Sequence, residues 1–122
     1  MCRILLSINP EHVYNILNGT KHFEYRKSKC KRNVDQIIIY ATHPIKQVVA
    51  IAALDDILEG EPDDIWEQTK SFSGINRDFY SKYYEGRERA VAYKLSHVEK
   101  LNPPKSISEF GLSVAPQSFA YV

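Results

Sequence analysis

Gly19-Thr20-Lys21-His22-Phe23-Glu24-Tyr25-Arg26 is the stretch that decides how this chain folds. It begins where a helix stops and runs straight into a strand. Gly19, after Asn18, is free to take the left-handed conformation that ends helices. Phe23 and Tyr25 then alternate with His22, Glu24 and Arg26, the period of a half-buried strand. Residues two apart on a strand share a face about 6.6 Å apart, so Glu24 and Arg26 are expected on one polar face. Lys21 has the opposite parity, but it follows the Gly19-Thr20 turn, from which its side chain can swing toward them. A carboxylate between two cations is held in its charged form. Such a group can read a base edge or a phosphate, because arginine offers a two-pronged donor and lysine a point charge. It suits binding better than general-base chemistry, which needs a group titrating near the working pH.

Upstream of the octet, Arg3 to Ile8 reads as a buried strand through Ile4, Leu5, Leu6 and Ile8. Asn9-Pro10 then starts a helix over 10–18: Asn9 can cap free N–H groups, and proline suits the first helical position. Val13, Ile16 and Leu17 give that helix one apolar face. Downstream, Ser28 to Asn33 is a basic loop holding Lys29, Lys31 and Arg32. Gln36 to Ala41 and Gln47 to Leu54 read as apolar strands, the first ended by Thr42-His43-Pro44. An acidic turn from Glu59 to Asp64 leads into a helix. Ser73 to Tyr84 reads as another, with Ile75, Phe79 and Tyr83 on one face. Arg89 to Leu101 returns to strand and is expected to break at Pro103-Pro104. Ser106 to Phe110 is a short helical turn ending at Gly111, and 115–122 is an irregular aromatic tail expected to pack against the sheet. Without regular strand–helix–strand alternation, the pattern favours a mixed or antiparallel sheet.

The chain has 122 residues, the size of one domain, so 1–122 is read as a single domain. A hydrophobic fraction of 43% and a charged fraction of 25% are ordinary for a globular protein, and the formal net charge of +1 excludes a bulk field for polyanions. Nucleic acid binding would therefore need local positive charge, for which the Lys27, Lys29, Lys31 and Arg32 run is the candidate for backbone contacts. Two cysteines make no disulfide framework. Cys2 and Cys30 with His22 match no zinc spacing, so no metal and no cofactor is expected. No apolar run approaches the roughly 20 residues of a membrane span, and the expected location is the cytoplasm.

The pattern G-x-K-x-x-E-x-R over Gly19 to Arg26, straight after an amphipathic helix, resembles the ASCH family, relatives of the PUA and EVE domains. Ser7-Ile8-Asn9-Pro10 is similar to that family's opening strand, Tyr40-Ala41-Thr42-His43-Pro44 to the end of its third, and Tyr84-Glu85-Gly86-Arg87 to the entry of its last long strand. Pro116-Gln117-Ser118-Phe119 is similar to a tail seen in some members. The resemblance implies an α+β fold, a PUA-like mixed β-barrel with flanking helices. It also implies a cleft beside the first helix, lined by Ser7, Lys21, Glu24, Arg26, Tyr40, Thr42 and His43. Members are generally proposed to bind RNA or other nucleic acid. Some resemble hydrolases that deacetylate N4-acetylcytidine with a lysine, a threonine and a glutamate, and others are reported as ribonucleases. Here Lys21 matches the first pattern, but Glu24 stands where it has threonine, and Glu67 is only an approximate substitute for its glutamate.

Three functions follow: a binding module for RNA or a nucleotide, a metal-independent hydrolase with Lys21 and Glu24 as catalytic groups, or a protein-interaction module using the acidic Asp55–Asp64 surface. Bland readings stand beside them. Glu24 and Arg26 could be a surface pair worth about 0.5 kcal/mol. Tyr80, Tyr83 and Tyr84 read as helix packing, with base stacking the alternative. His12, His22 and His97 read as surface positions.

Overall fold

The computed structural model describes residues 2–122. Its strands are β1 (Arg3–Ile8), β2 (Phe23–Arg26), β3 (Gln36–Ala41), β4 (Gln47–Gly60), β5 (Ala90–Lys105) and β6 (Phe119–Tyr121). Its helices are α1 (Pro10–Leu17), α2 (Pro62–Thr69) and α3 (Arg77–Tyr83), with 3-10 turns at Lys70–Phe72 and Ile107–Phe110. The six strands form one mixed sheet in the order β2-β5-β4-β3-β1-β6. β1 and β3 run parallel, and every other pair is antiparallel. The sheet curls into a half-barrel, so the α+β barrel-type architecture expected from sequence is the one observed.

Local chemistry sets the element ends. Asn9 caps α1 by accepting from the Glu11 N–H at 3.0 Å, and Pro10 opens it. Two expected strand ends move. β4 runs on to Gly60 because Asp56 to Gly60 pair with β5 from Lys94 to Ala90. β5 passes through Pro103-Pro104 because the register jumps there. Ala50 pairs with Lys100 and Val48 with Lys105, leaving both prolines in a bulge where no ladder N–H is needed. The helix expected over 73–84 begins only at Arg77. Asn76 caps it by accepting from the Phe79 N–H at 2.8 Å, while Ser73 and Gly74 are held back against Lys21.

Strand parity sorts the apolar residues into three layers. Ile4, Leu6, Ile8, Ile37, Ile39, Val91, Tyr93 and Leu95 fill the hollow of the half-barrel, and Val13 and Ile16 of α1 plug it. On the opposite face Leu5, Ile38, Tyr40 and Val48 are covered by the C-terminal segment through Ile107, Phe110, Leu112 and Val122. Phe23, Tyr25, Ala90 and Ala92 pack under Ile65, Tyr80 and Tyr84. The tail is therefore docked, and Phe119–Tyr121 adds the strand beside β1.

β2 and β6 are the two edges of the sheet, and a seam separates them. Side chains bridge it. Arg26 of β2 donates through Nη2 to the Ser7 carbonyl at 2.8 Å and through Nη1 to the Ser118 carbonyl at 3.4 Å. The Tyr121 hydroxyl accepts from the Lys31 and Arg32 N–H groups of the basic loop at 2.9 and 3.3 Å.

Candidate functional site

A cleft of about 180 Å³ opens at one end of this seam. Ser7 and Ile8 at the end of β1, the Asn9 cap and His12 of α1 form one wall, Lys21 and the polar residues of β2 form the floor, and Ile75, Phe79 and Tyr83 form the far wall. Glu24 pairs with Tyr93, whose side chain lies in the hollow of the half-barrel, so the face carrying Glu24 and Arg26 turns into the mouth of the barrel. The solvated polar face expected from alternation is therefore an interior one. Lys21 is only 2% exposed and Glu24 only 6%.

Lys21 lies flat under the 73–74 segment. A Cβ placed on Gly74 would fall 2.4 Å from the Lys21 Cβ, and Gly74 sits at a φ of +68°, so glycine alone allows the close approach. Lys21 Nζ donates to the Ser73 carbonyl at 2.8 Å, stands 3.9 Å from Glu24 Oε1 and lies 4.8 Å from the centroid of the Tyr25 ring. Burial pushes its pKa below the usual lysine range; Glu24 opposes that shift and Arg26 adds to it. An ammonium has three donors, and one is committed here to a carbonyl at close range.

Glu24 Oε2 accepts from both Arg26 Nε at 3.2 Å and Nη2 at 3.0 Å. With its other bonds to Ser7 and Ser118, the Arg26 fork is engaged with the protein itself. It acts as a latch across the seam and holds Glu24 in place. Ser7 takes part through its carbonyl, because its hydroxyl donates to the Pro116 carbonyl at 2.6 Å.

His12 belongs to this group, although the sequence reading placed it on the surface. Its Nδ1 is buried and has no hydrogen-bond partner among the described residues. Its ring stands edge-on to Phe79 at 5.4 Å. Burial lowers its pKa from 6.5, so the imidazole is neutral at pH 7; Glu24 and Glu11 pull the other way, Lys21 and Arg26 with burial. A signal for it exists in the sequence: His12 precedes Ile16 by four residues and so shares the apolar face of α1.

The structure brings Ser7, Lys21, Glu24 and Arg26 together but places Tyr40, Thr42 and His43 outside the cleft lining. Tyr40 has the parity of Ile38 and is buried under the C-terminal segment. Thr42 is tied to Ile8 by its N–H at 3.0 Å, and His43 is exposed in the turn that follows. In the basic run, Lys27 lies 4.7 Å over the Tyr83 ring and Arg32 4.2 Å over that of Tyr121, both beside the seam, while Lys29 and Lys31 are exposed. Tyr80 and Tyr84 are buried packing residues, and Tyr83 alone of the three lines the cleft. Glu67 pairs with Lys70 on the surface at 2.6 Å, away from the cleft. A larger groove of about 630 Å³ lies between α2 and α3, but Arg77 with Asp63 and Arg89 with Glu59 pair beside it at exposed positions. No group of three or more His, Cys, Asp or Glu among the described residues is arranged to hold a metal ion.

The ASCH domain family model matches residues 6–105. The chain belongs to the ASCH family. It is 30% identical over 100 residues to an ASCH domain-containing ribonuclease of Zymomonas mobilis, a match that takes in 81% of this chain and 68% of that protein. The crystal structure of ASCH from Zymomonas mobilis superposes with a TM-score of 0.88 at 26% identity, covering 98% of this chain and 87% of the other. The chain is also 28% identical over 120 residues to the large ribosomal subunit protein uL22 of Ureaplasma parvum, but it spans only 39% of that protein's length. No helix among the described residues of this ASCH domain is long and apolar enough to cross a membrane.

Proposed function

We propose that this ASCH domain binds single-stranded RNA at the seam cleft, with Lys21 at the centre of the contact. The observation that carries this reading is the burial of Lys21 and Glu24 together at the mouth of the half-barrel, under a wall of Phe79 and Tyr83. A buried cation beside aromatic rings suits a phosphate with an unstacked base next to it. Glu24 and Arg26 set the position of Lys21 and keep the seam closed. Lys27 over Tyr83 and Arg32 over Tyr121, with Lys29 and Lys31 of the same loop, supply phosphate-backbone contacts from outside the cleft. The test is titration of short RNA oligomers against the wild type and Lys21→Met, which keeps the length of the side chain and removes its charge. Equal affinity in the two proteins would remove Lys21 from the binding site.

A second reading, metal-independent RNA cleavage in the cytoplasm, is favoured by His12 and by the ribonuclease name of the Zymomonas relative. A neutral imidazole in the lining of the cleft can take the proton of a ribose 2′-hydroxyl through its ring nitrogen other than the buried Nδ1, as the hydroxyl oxygen bonds to the adjacent phosphorus. The 5′-oxygen then leaves and takes a proton from water, while Lys21 offsets the charge that develops on the phosphoryl oxygens. Cleavage in the presence of a chelator, ending in a 2′,3′-cyclic phosphate and lost in His12→Ala, would support this reading over binding alone. Deacetylation of N4-acetylcytidine has less support, because no threonine lines the cleft and Glu67 stands outside it.

A further inference from the structure

The seam cleft is not isolated. A second hollow of about 460 Å³ adjoins it, lined by Glu11, His12, Gly74, Ile75, Asn76 and Phe79. His12, Ile75 and Phe79 line both, so the two are compartments of one groove with His12 at their junction. Their chemistry differs. The inner compartment holds two cations, the buried Lys21 and the half-buried Arg26, against the single carboxylate of Glu24; the outer one has no cation in its lining and carries the carboxylate of Glu11. A phosphate is repelled from the outer compartment and attracted to the inner one. What the outer compartment offers is the Phe79 ring, 48% exposed on α3 and held in place by its edge-on contact with His12. An exposed aromatic ring beside a cationic cleft stacks nucleobases.

We propose that the outer compartment is a base subsite, in which one nucleobase of an RNA strand stacks on Phe79 while the adjoining phosphate sits at the junction near His12 and Lys21. The groove then takes two consecutive nucleotides, one on each side of His12. This subsite rests on the RNA-binding reading above and extends it. Its consequence is that the domain recognises a dinucleotide step, with Phe79 responsible for one base and Lys21 for the phosphate.

The experiment uses the dinucleotide ApA and its two forms lacking either the 5′ or the 3′ base, titrated against the wild type, Phe79→Ala, Phe79→Trp and Lys21→Met. Removal of one particular base should weaken wild-type binding roughly 5- to 150-fold, the range of a lost base–aromatic stack. Phe79→Ala should erase that difference while leaving the affinity of the corresponding abasic form unchanged, and Phe79→Trp should restore it. Lys21→Met should weaken all three probes alike. Because Phe79 is half exposed, thermal melting of Phe79→Ala should stay close to the wild type, which separates a lost stack from a lost fold. If Phe79→Ala weakens every probe equally, or none, while Lys21→Met still weakens all, the subsite is wrong and the RNA-binding reading stands. Failure of all three probes to bind the wild type would overturn both.

Discussion

β1 is flanked by two closures of opposite character. On one face, Leu5 with Ile38, Tyr40 and Val48 is sealed by Ile107, Phe110, Leu112 and Val122, a mainly apolar contact. At its Ser7 end, the seam to β2 is bridged by Arg26, with Glu24 behind it and Lys21 beside it. The apolar seal is non-directional and grows with the area buried. The polar bridge depends on a few distances, and removing one charge leaves the others stranded in a place that water reaches poorly. An apolar seal supplies stability without chemistry. A polar seam gives up some of that stability and leaves a cleft with donors in it.

Substitutions can break or sharpen this contrast. The largest effect is expected from Glu24→Ala, which strands Lys21 and Arg26 without their carboxylate; loss of one partner of a buried pair costs about 3–5 kcal/mol. Urea unfolding should show it, and RNA binding should fall with it. Ile38→Ala, at a fully buried position in the apolar seal, should cost a comparable ~2–5 kcal/mol but leave the RNA affinity of the folded protein unchanged. If Ile38→Ala weakened binding as Glu24→Ala does, the two closures would not be separable.

Lys21→Met comes next. Burying an apolar side chain in place of a desolvated ammonium offsets the lost bond to the Ser73 carbonyl, so stability should move by less than about 2 kcal/mol. RNA affinity should fall by about 1–3 kcal/mol, the worth of a charge-assisted hydrogen bond. A smaller effect concerns pH. The folded pKa of His12 lies below its unfolded value of 6.5, so the unfolded chain takes up the proton first as pH falls through 6.5. Stability is therefore lost as the pH drops below 6.5 and is fully present above it. His12→Gln should flatten that part of the curve of melting temperature against pH; an unaltered curve would place the imidazole in water. The smallest is the salt response of the basic loop. Lys29→Ala or Lys31→Ala should reduce the slope of log affinity against log salt by about 0.7 if the residue contacts a single-strand phosphate. A slope unchanged by both would leave the loop as a solvated turn.

What could be read from the sequence was local. The Asn9 cap, the Gly19 stop, the strand parity of Phe23 and Tyr25, and the Ser106 to Gly111 turn all follow from neighbours in the chain, and each appears where expected. The octet could be recognised for the same reason. The seam could not, because it depends on how far a six-stranded sheet curls and on which edge meets which. Alternation correctly put Glu24 and Arg26 on one face, but it could not tell that this face turns into the barrel mouth. The same limit applies to Tyr40, whose side of β3 is decided by the C-terminal segment more than sixty residues on. Bulges hid the true lengths of β4 and β5, since a register jump lets Pro103-Pro104 ride in a strand that sequence rules would end. Gly74 carried the clearest missed signal, a lone glycine before a helix whose purpose is the space it leaves for Lys21.

The position of β1 between β3 and β6 also sets an order in time. As the chain emerges from a ribosome, β1 can meet its parallel partner β3 once residue 41 is out. Its other edge stays bare until residues 119–121 arrive, and the Val122 N–H closes on the Arg3 carbonyl at 3.0 Å only after that. Until residues 119–121 are made, Ile4, Leu5 and Leu6 belong to a hydrophobic strand with one open edge, the kind of segment that recruits the wrong partner. Of the two edges of β1, the one toward β6 is therefore completed only after more than a hundred further residues have followed it.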